Sequence, residues 1–136
     1  YRLAYFLNKN LGLRLYRKNE DIHYTYKGSV ASYQLYQYED HFHYNTYSLF
    51  GNKFKTSVVS ENSTSQGLFT ALAHTTKTTY LIPEFKNVDY FLKIETETVN
   101  FSGATLLDTM LTIPQIITAY LIDCQKLKSK NNIIFE

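Results

Sequence analysis

The chain has 136 residues, of which 44% are hydrophobic and 19% are charged, and its formal net charge is +2. Disordered chains are poorer in apolar residues and richer in net charge, so this composition predicts one globular domain over residues 1–136. The charge excess is too small to indicate a nucleic-acid or membrane partner by itself. The 13 Tyr and 9 Phe residues favour a fold that is rich in β-strands.

The first predicted element is a short amphipathic helix over residues 1–11. Apolar side chains recur there at helical spacing, and Gly12 follows as a C-terminal stop. Because the chain enters this helix at Tyr1 without a preceding Met, we expect the natural N-terminus to lie further upstream. From Leu13 onward the period changes from helical to two, which predicts that strands follow.

Seven later segments have the composition or the two-residue period of strands, and their short connections predict antiparallel pairing. Gly51 and Asn52 stand where a two-residue hairpin turn would join two of these segments. The small polar residues of 60–67 predict a surface loop. The predicted strands are residues 13–18, 22–26, 31–38, 42–50, 53–59, 78–82 and 88–94.

The C-terminal part of the chain has a helical pattern. Ser102 can cap a helix whose apolar residues recur every three or four positions as far as Cys124. Pro114 removes one backbone hydrogen bond, so we expect a kink there or two successive helices. We predict an α+β fold in which the N-terminal helix and this long, Pro-interrupted segment cover one face of an antiparallel sheet of about five strands. The other face would stay open.

Cys124 is the only cysteine of the chain, so it cannot form an intramolecular disulfide. Its place in the apolar pattern favours a small core residue in a reducing compartment. The apolar region 104–124 is interrupted by polar residues and by Pro114, which argues against a membrane span. We therefore predict a cytoplasmic protein that does not enter the membrane.

Two carboxylates lie in the most distinctive stretch of the chain, in which residues 82–84 are Ile-Pro-Glu and residues 88–90 are Val-Asp-Tyr. Pro83 cannot donate to a β-ladder, so the preceding strand should end here and Glu84 should lie on a loop. Asp89 enters the next strand, where a carboxylate needs hydrogen bonds or a cation. We expect both acids to tie this junction together; the alternatives are a catalytic acid–base pair and contact with a ligand or partner.

The same stretch resembles the signature of a bacterial family that is named after it, the IPExxxVDY family. The resemblance also includes residues 1–8 and 127–130, and the central motif matches at every defining position. It implies a bacterial cytosolic protein and supplies no catalytic residue. The motif residues that it makes candidates for a binding site are Pro83, Glu84, Asp89 and Tyr90.

His41 and His43 would share one face of a strand, where they could hold zinc if a third ligand such as His23 or Asp40 approached. The sequence assigns no third ligand, so we predict no metal site. The chain also lacks a P-loop, a nucleophile elbow and a dinucleotide fingerprint, and we predict no cofactor.

These observations predict a non-catalytic binding or assembly module that uses the open sheet face or the loops at 60–67 and 83–87. Its partner would be another protein or a second copy of the chain. The alternative is a binder of single-stranded nucleic acid with an aromatic sheet face, although interleaved acids such as Asp21 and Asp40 oppose phosphate binding. An enzyme that uses Glu84 and Asp89 is the third hypothesis.

Overall fold

A computed structural model describes residues 1–59 and 74–135 of the chain. The polar run 60–67 therefore lies outside the described residues. Within them, most of the regular structure is antiparallel β-sheet, and no helix is long and apolar enough to cross a membrane. The helices are α1 (Arg2–Leu11) and α2 (Gly103–Leu111), and the strands are β1 (Tyr16–Arg17), β2 (Ile22–Tyr26), β3 (Ser29–Tyr33), β4 (Leu35–Asp40), β5 (Asn45–Gly51), β6 (Lys53–Val59), β7 (His74–Tyr80) and β8 (Tyr90–Thr96).

Helix α1 forms as its sequence pattern predicts. Ala4 and Leu7 are buried, and Gly12 ends the helix in the left-handed conformation, with φ of 67°, which a residue without Cβ adopts without strain. The Asn8 carboxamide then holds the chain that leaves the helix. It donates to the Leu15 carbonyl at 3.0 Å and accepts from the Leu15 amide at 2.8 Å.

The sheet has a central part and two projecting hairpins. Four strands form the central sheet in the order β1-β4-β5-β8, while β2 pairs with β3 and β6 pairs with β7. We call these two pairs the β2–β3 arm and the β6–β7 arm. Strand β3 passes into β4 through the single residue Gln34, and β5 passes into β6 through Asn52, so each arm continues a strand of the central sheet.

One turn joins the strands of an arm, and one turn that the sequence predicted does not form. Lys27 and Gly28, with φ of 47° and 80°, join β2 to β3 by a two-residue turn of the type that suits the twist of a hairpin. Gly51 and Asn52 form no hairpin turn, because β5 pairs with β4 and β8 whereas β6 pairs with β7. The predicted turn at this point was wrong.

The arms lie side by side near the central sheet. The rings of Tyr33 and Phe54, one from each arm, are 6.1 Å apart. Burial, with a contribution from Tyr24, raises the pKa of Tyr33 to about 12. Its hydroxyl therefore stays protonated, and it donates to the Thr79 carbonyl at 3.1 Å.

Both faces of the central sheet carry a hydrophobic core. On one face, α1 and α2 pack with Tyr47 and Leu49 of β5. On the other face, Leu127 and Ile133 of the C-terminal tail pack with Phe50 of β5. Two further contacts hold this tail in place: Lys93 Nζ donates to the Ile133 carbonyl at 2.9 Å, and the Phe135 ring meets the Phe50 ring edge-on at 5.3 Å. The predicted open face is therefore occupied.

The predicted long C-terminal helical segment was wrong, and so was the fold class that depended on it. Ser102 caps α2 as predicted, by accepting from the Thr105 amide, but α2 ends at Leu111. Pro114 and the β-branched residues that follow it disfavour continuation of the helix. Ile117 is fully exposed and Cys124 is also exposed, so neither belongs to a core stripe. The chain instead crosses to the second sheet face.

Candidate functional site

The signature stretch folds around one buried side chain, Asn52, whose exposure is 0%. Its Nδ2 donates to the carbonyls of Phe85 at 2.8 Å and Val88 at 3.2 Å, and its Oδ1 accepts from the Ile82 amide at 2.7 Å. Its backbone amide also donates to the Asp89 carbonyl at 2.9 Å. A buried amide with this many partners is an architectural element. Local sequence does not signal this role, because Asn beside Gly is also typical of a surface turn.

Glu84 joins the signature stretch to the C-terminal tail. Pro83 begins a 3₁₀ turn, Pro83–Phe85, as its fixed φ allows. The Glu84 carboxylate accepts from the backbone amide of Ser129 at 2.8 Å and from its hydroxyl at 2.7 Å. Partial burial raises the pKa of Glu84, but these hydrogen bonds outweigh it and lower the pKa below its ordinary value. Glu84 therefore binds the C-terminal tail, whereas the sequence predicted that it would hold the strand junction itself.

Asp89 has a different partner. Its Oδ1 lies 2.6 Å from Lys53 Nζ at the start of β6. This hydrogen bond raises the pKa of Lys53 more than partial burial lowers it. Tyr90 begins β8 opposite Gly51 and is 57% exposed. Glu84 and Asp89 thus each bind a separate part of the chain, and their geometry supports a structural role for both acids.

His41 and His43 lie in the turn between β4 and β5, so the predicted arrangement on one strand face was wrong. His43 Nδ1 lies 2.7 Å from Asp40 Oδ2, whereas His41 Nε2 is 3.8 Å from a carboxylate oxygen of Glu39. The His43 hydrogen bond is the largest cause that lowers the pKa of Asp40. Over residues 1–59 and 74–135 no three metal-binding side chains come together.

A groove of about 770 Å³ opens beside this turn, between the end of α1 and the start of α2. Leu13 and Leu106 form apolar parts of its wall, and Asn45 and Tyr47 of β5 form a polar part. Asn45 Nδ2 donates to the Tyr47 hydroxyl at 3.3 Å. Burial is the main cause that raises the pKa of Tyr47, so this hydroxyl stays protonated. The sequence offered one signal for the groove: Asn45 is the polar member of the otherwise apolar row that continues to Tyr47 and Leu49.

The arms carry aromatic rings beside lysine side chains. Lys27 and Lys77 place their ammonium groups 5.4 and 6.0 Å from the centre of the Tyr26 ring. Lys86, in the signature stretch, lies 6.0 Å from the Tyr80 ring. The four strands of the arms contain no Asp or Glu. This end of the molecule combines the two features that single-stranded nucleic acids require, which are stacking surfaces and positive charge.

No family model matches this chain, and no curated protein and no solved structure matches it either. Membership of the IPExxxVDY family therefore stays a prediction from the motif.

Proposed function

We propose that this protein is a non-catalytic binding module and that its two arms bind single-stranded nucleic acid. The observation that carries the proposal is the separation of charge along the molecule. Lys27, Lys55 and Lys77 lie on arms whose strands lack acidic residues, while Lys53 is held by Asp89. Lysine side chains that have no carboxylate partner attract the phosphate backbone of a nucleic acid.

The acids that argued against phosphate binding are either paired or distant from the arms. Asp21, next to the β2–β3 arm, accepts from the Ser32 hydroxyl of β3 and forms an ion pair with Arg17. Glu39 and Asp40 end β4, at the opposite end from its junction with the arm. At about 3.4 Å per residue, the five and six steps from Gln34 place them about 17 and about 20 Å from that junction. Charges separated by twice the Debye length of physiological salt interact weakly, so these acids do not oppose binding at the arms.

Tyr26 is the best stacking surface of the arms. It is 43% exposed at the tip of the β2–β3 arm, and the ammonium groups of Lys27 and Lys77 lie over its ring. When the two ammonium groups turn to the flanking phosphates, a base can stack on the ring. Stacking and backbone contacts of this kind do not depend on base identity, so the binding is expected to have little sequence preference.

The non-catalytic part of the proposal rests on Glu84 and Asp89. Both are hydrogen-bonded within the protein, Glu84 to Ser129 and Asp89 to Lys53. A catalytic pair needs two carboxyl groups that face one substrate with separated pKa values. Glu84 uses both carboxylate oxygens on Ser129 and Asp89 uses one on Lys53, so the two acids bind separate parts of the chain.

A protein partner or a second copy of the chain is the second candidate. The sequence predicted an open sheet face as the surface for such a partner, but the C-terminal tail occupies that face. A new observation favours it: Ile117 is 100% exposed, and Tyr120 and Leu121 are 52% and 60% exposed, so three apolar side chains of one short segment face solvent. Light scattering over a concentration series distinguishes this candidate, since an Ile117→Ser and Leu121→Ser double variant would abolish self-association through this segment.

The nucleic-acid proposal is tested by fluorescence anisotropy with a labelled single-stranded oligonucleotide of mixed sequence. Affinity is expected to fall as salt rises from about 50 to about 200 mM, with a slope of about −0.7 per phosphate contact in a log–log plot. A Lys27→Gln and Lys77→Gln double variant should reduce that slope by about 1.4. Tyr26→Leu should weaken binding about tenfold without changing the slope.

The matched control removes two lysines outside the arms, by Lys9→Gln and Lys126→Gln. It carries the same change in net charge and should leave the slope unchanged. Absence of binding at low salt would overturn the proposal. A control that loses as much slope as the arm variant would also overturn it, because the attraction would then belong to the whole protein and not to the arms.

A further inference from the structure

The turn between β4 and β5 holds an aromatic side chain in solvent. Phe42 is 85% exposed and Tyr44 is 64% exposed. Asp40 Oδ1 accepts from the backbone amides of Phe42 at 3.1 Å and His43 at 3.2 Å. An aspartate that bonds to amides shortly after it in the chain fixes the path of a turn. The turn therefore presents Phe42 on a preorganised piece of backbone.

The backbone of this turn is also strained. Tyr44 has a φ of 54°, which is costly for a bulky residue and persists only where the surrounding structure enforces it. The enforcing contacts are the pairing of Asp40 with Asn45 in the ladder and the Glu97 amide, which donates to the Tyr44 carbonyl at 3.2 Å. Such strain is concentrated at functional sites, so this turn is a candidate for one.

The groove of about 770 Å³ begins at the same turn, because His43 forms part of its wall. The Phe42 and His43 rings meet edge-on, with their centres 4.8 Å apart. Leu11 and Leu13 give the groove an apolar lining. Its volume lies in the range of pockets that hold a drug-sized molecule, so an aromatic ring fits. The Phe42 ring of the same chain does not fill the groove, since it faces solvent.

We propose that this surface binds a second copy of the chain, with Phe42 of each copy in the groove of the other. The exposed ring and the groove adjoin each other, so one surface patch contains both halves of the contact. Such a patch is self-complementary about a two-fold axis, and the assembly closes as a dimer. A ring and a groove on distant surfaces would give open chains of molecules instead.

The charges around the groove favour the same partner. Residues 1–15, which include the α1 side of the groove, contain three basic residues and no Asp or Glu. Lys9 and Arg14 are the basic residues nearest in sequence to the leucines of the groove. The turn instead carries the acids Glu39 and Asp40. In the dimer the acidic turn of one copy approaches the basic α1 end of the other, which fixes orientation more than it adds affinity.

A second copy covers more of the exposed apolar surface than other occupants do. A small apolar molecule would fill the groove but leave Phe42 in water. Two-fold pairing buries both Phe42 rings, at about 150 to 250 Å² each, together with Val99, which lines the groove and is 100% exposed. The interface is small for a specific complex, so we expect a dimer with a Kd of about 10 to 100 μM.

Sedimentation equilibrium from about 5 to about 500 μM protein covers this range of affinity. Each inserted ring is expected to contribute about tenfold, so Phe42→Ala, which removes two, should weaken the dimer about a hundredfold. Tyr90→Ala is the matched control, because it removes an exposed aromatic side chain from the other end of β8, and it should leave the equilibrium unchanged. A native protein that stays monomeric, or a Phe42→Ala variant that still dimerises as the native protein does, would overturn the proposal.

A mixing experiment tests whether the contact is reciprocal. Thr105 lines the groove and is exposed, so Thr105→Trp obstructs the groove without entering the core. Each variant alone loses both contacts, whereas a mixture of Phe42→Ala and Thr105→Trp keeps one intact ring and one intact groove. The mixed dimer should therefore form about tenfold more tightly than either variant alone.

Two outcomes of these measurements contradict the proposal. A mixture that associates no better than its components would show that the contact is not reciprocal. Dissociation of the dimer by the Ile117→Ser and Leu121→Ser double variant, with no effect of Phe42→Ala, would place the interface at the segment of Ile117. The arms are not part of the proposed surface, so neither outcome depends on nucleic-acid binding.

Discussion

Strand β5 is bounded by two buried asparagines that differ in how far their hydrogen bonds are satisfied. Asn52 follows the strand, and its carboxamide has partners at both its nitrogen and its oxygen, all in the signature stretch. Asn45 begins the strand, and its carboxamide oxygen is without a partner among the described residues. The exposed fractions are similar, at 0% and 7%, so burial alone does not distinguish the two positions.

The end of β5 at Asn52 is architectural, whereas the end at Asn45 has unused hydrogen-bonding capacity. At Asn52, donors and acceptors of the protein match one another, and the result is a fixed junction between the central sheet, the β6–β7 arm and the signature stretch. At Asn45, the protein presents an acceptor that it does not use itself. In a low-dielectric environment the first arrangement stabilises the fold, whereas the second is stabilised only when a donor arrives.

The largest expected effect comes from replacing the satisfied asparagine. Asn52→Ala should lower the free energy of unfolding by about 3 to 4 kcal/mol, because the Ile82 amide and several carbonyls lose their buried partner. Urea unfolding followed by circular dichroism measures the change through the midpoint at constant slope.

The matched substitution at the other end of the strand is Asn45→Ala. It removes an unsatisfied acceptor together with one hydrogen bond to Tyr47, so the two effects oppose each other and the change should stay within about 1 kcal/mol. Equal destabilisation by the two substitutions would contradict the distinction between the two regions.

A smaller effect is expected at Glu84, which ties the signature stretch to the tail. Glu84→Gln keeps the shape but removes the charge, and the side chain is exposed to solvent, so we expect a loss of about 0.5 to 1 kcal/mol at neutral pH. Because the pKa of Glu84 is lowered on folding, its stabilisation is present above the unfolded pKa and is lost as pH falls through the folded pKa.

The corresponding measurement compares the two proteins over a pH series. The difference in unfolding free energy between native protein and Glu84→Gln should be constant near neutrality and should shrink as pH falls below 4.5, the ordinary pKa of a Glu carboxyl. Ser129→Ala, which removes the hydroxyl donor, should reduce the same pH dependence in the native background. A difference that grows toward acid pH would show that the sign of the shift is wrong.

The smallest effect is expected at Asp89. Its ion pair with Lys53 lies at the surface, with the Asp89 side chain 68% exposed, and exposed pairs contribute little to stability. Asp89→Asn should therefore leave the thermal midpoint unchanged within error, at low and at high salt. A clear loss of stability would place Asp89 with Asn52 among the residues that hold the junction.

The elements that depend on near neighbours are the ones that the sequence predicts. The helix up to Leu11, its stop at Gly12, the Ser102 cap and most strand segments follow from periodicity and from local hydrogen bonds. The helix prediction fails after Pro114. Apolar residues recur there at helical spacing, but the tail does not form a helix. The packing of Leu127 and Ile133 against Phe50 decides the path of this segment, and no local signal encodes that contact.

The sequence by itself determined the local elements, the sparse net charge and the position of two acids at a strand junction. Only the tertiary structure decided what the buried asparagines do and which sheet face the tail covers. The Asn52 carboxamide finds its partners 30 to 36 residues further along the chain, and Glu84 finds Ser129 at a separation of 45 residues. Patterns over neighbouring residues cannot specify such partners. The groups that bond to a buried amide are distant in sequence, and only the complete fold brings them to it.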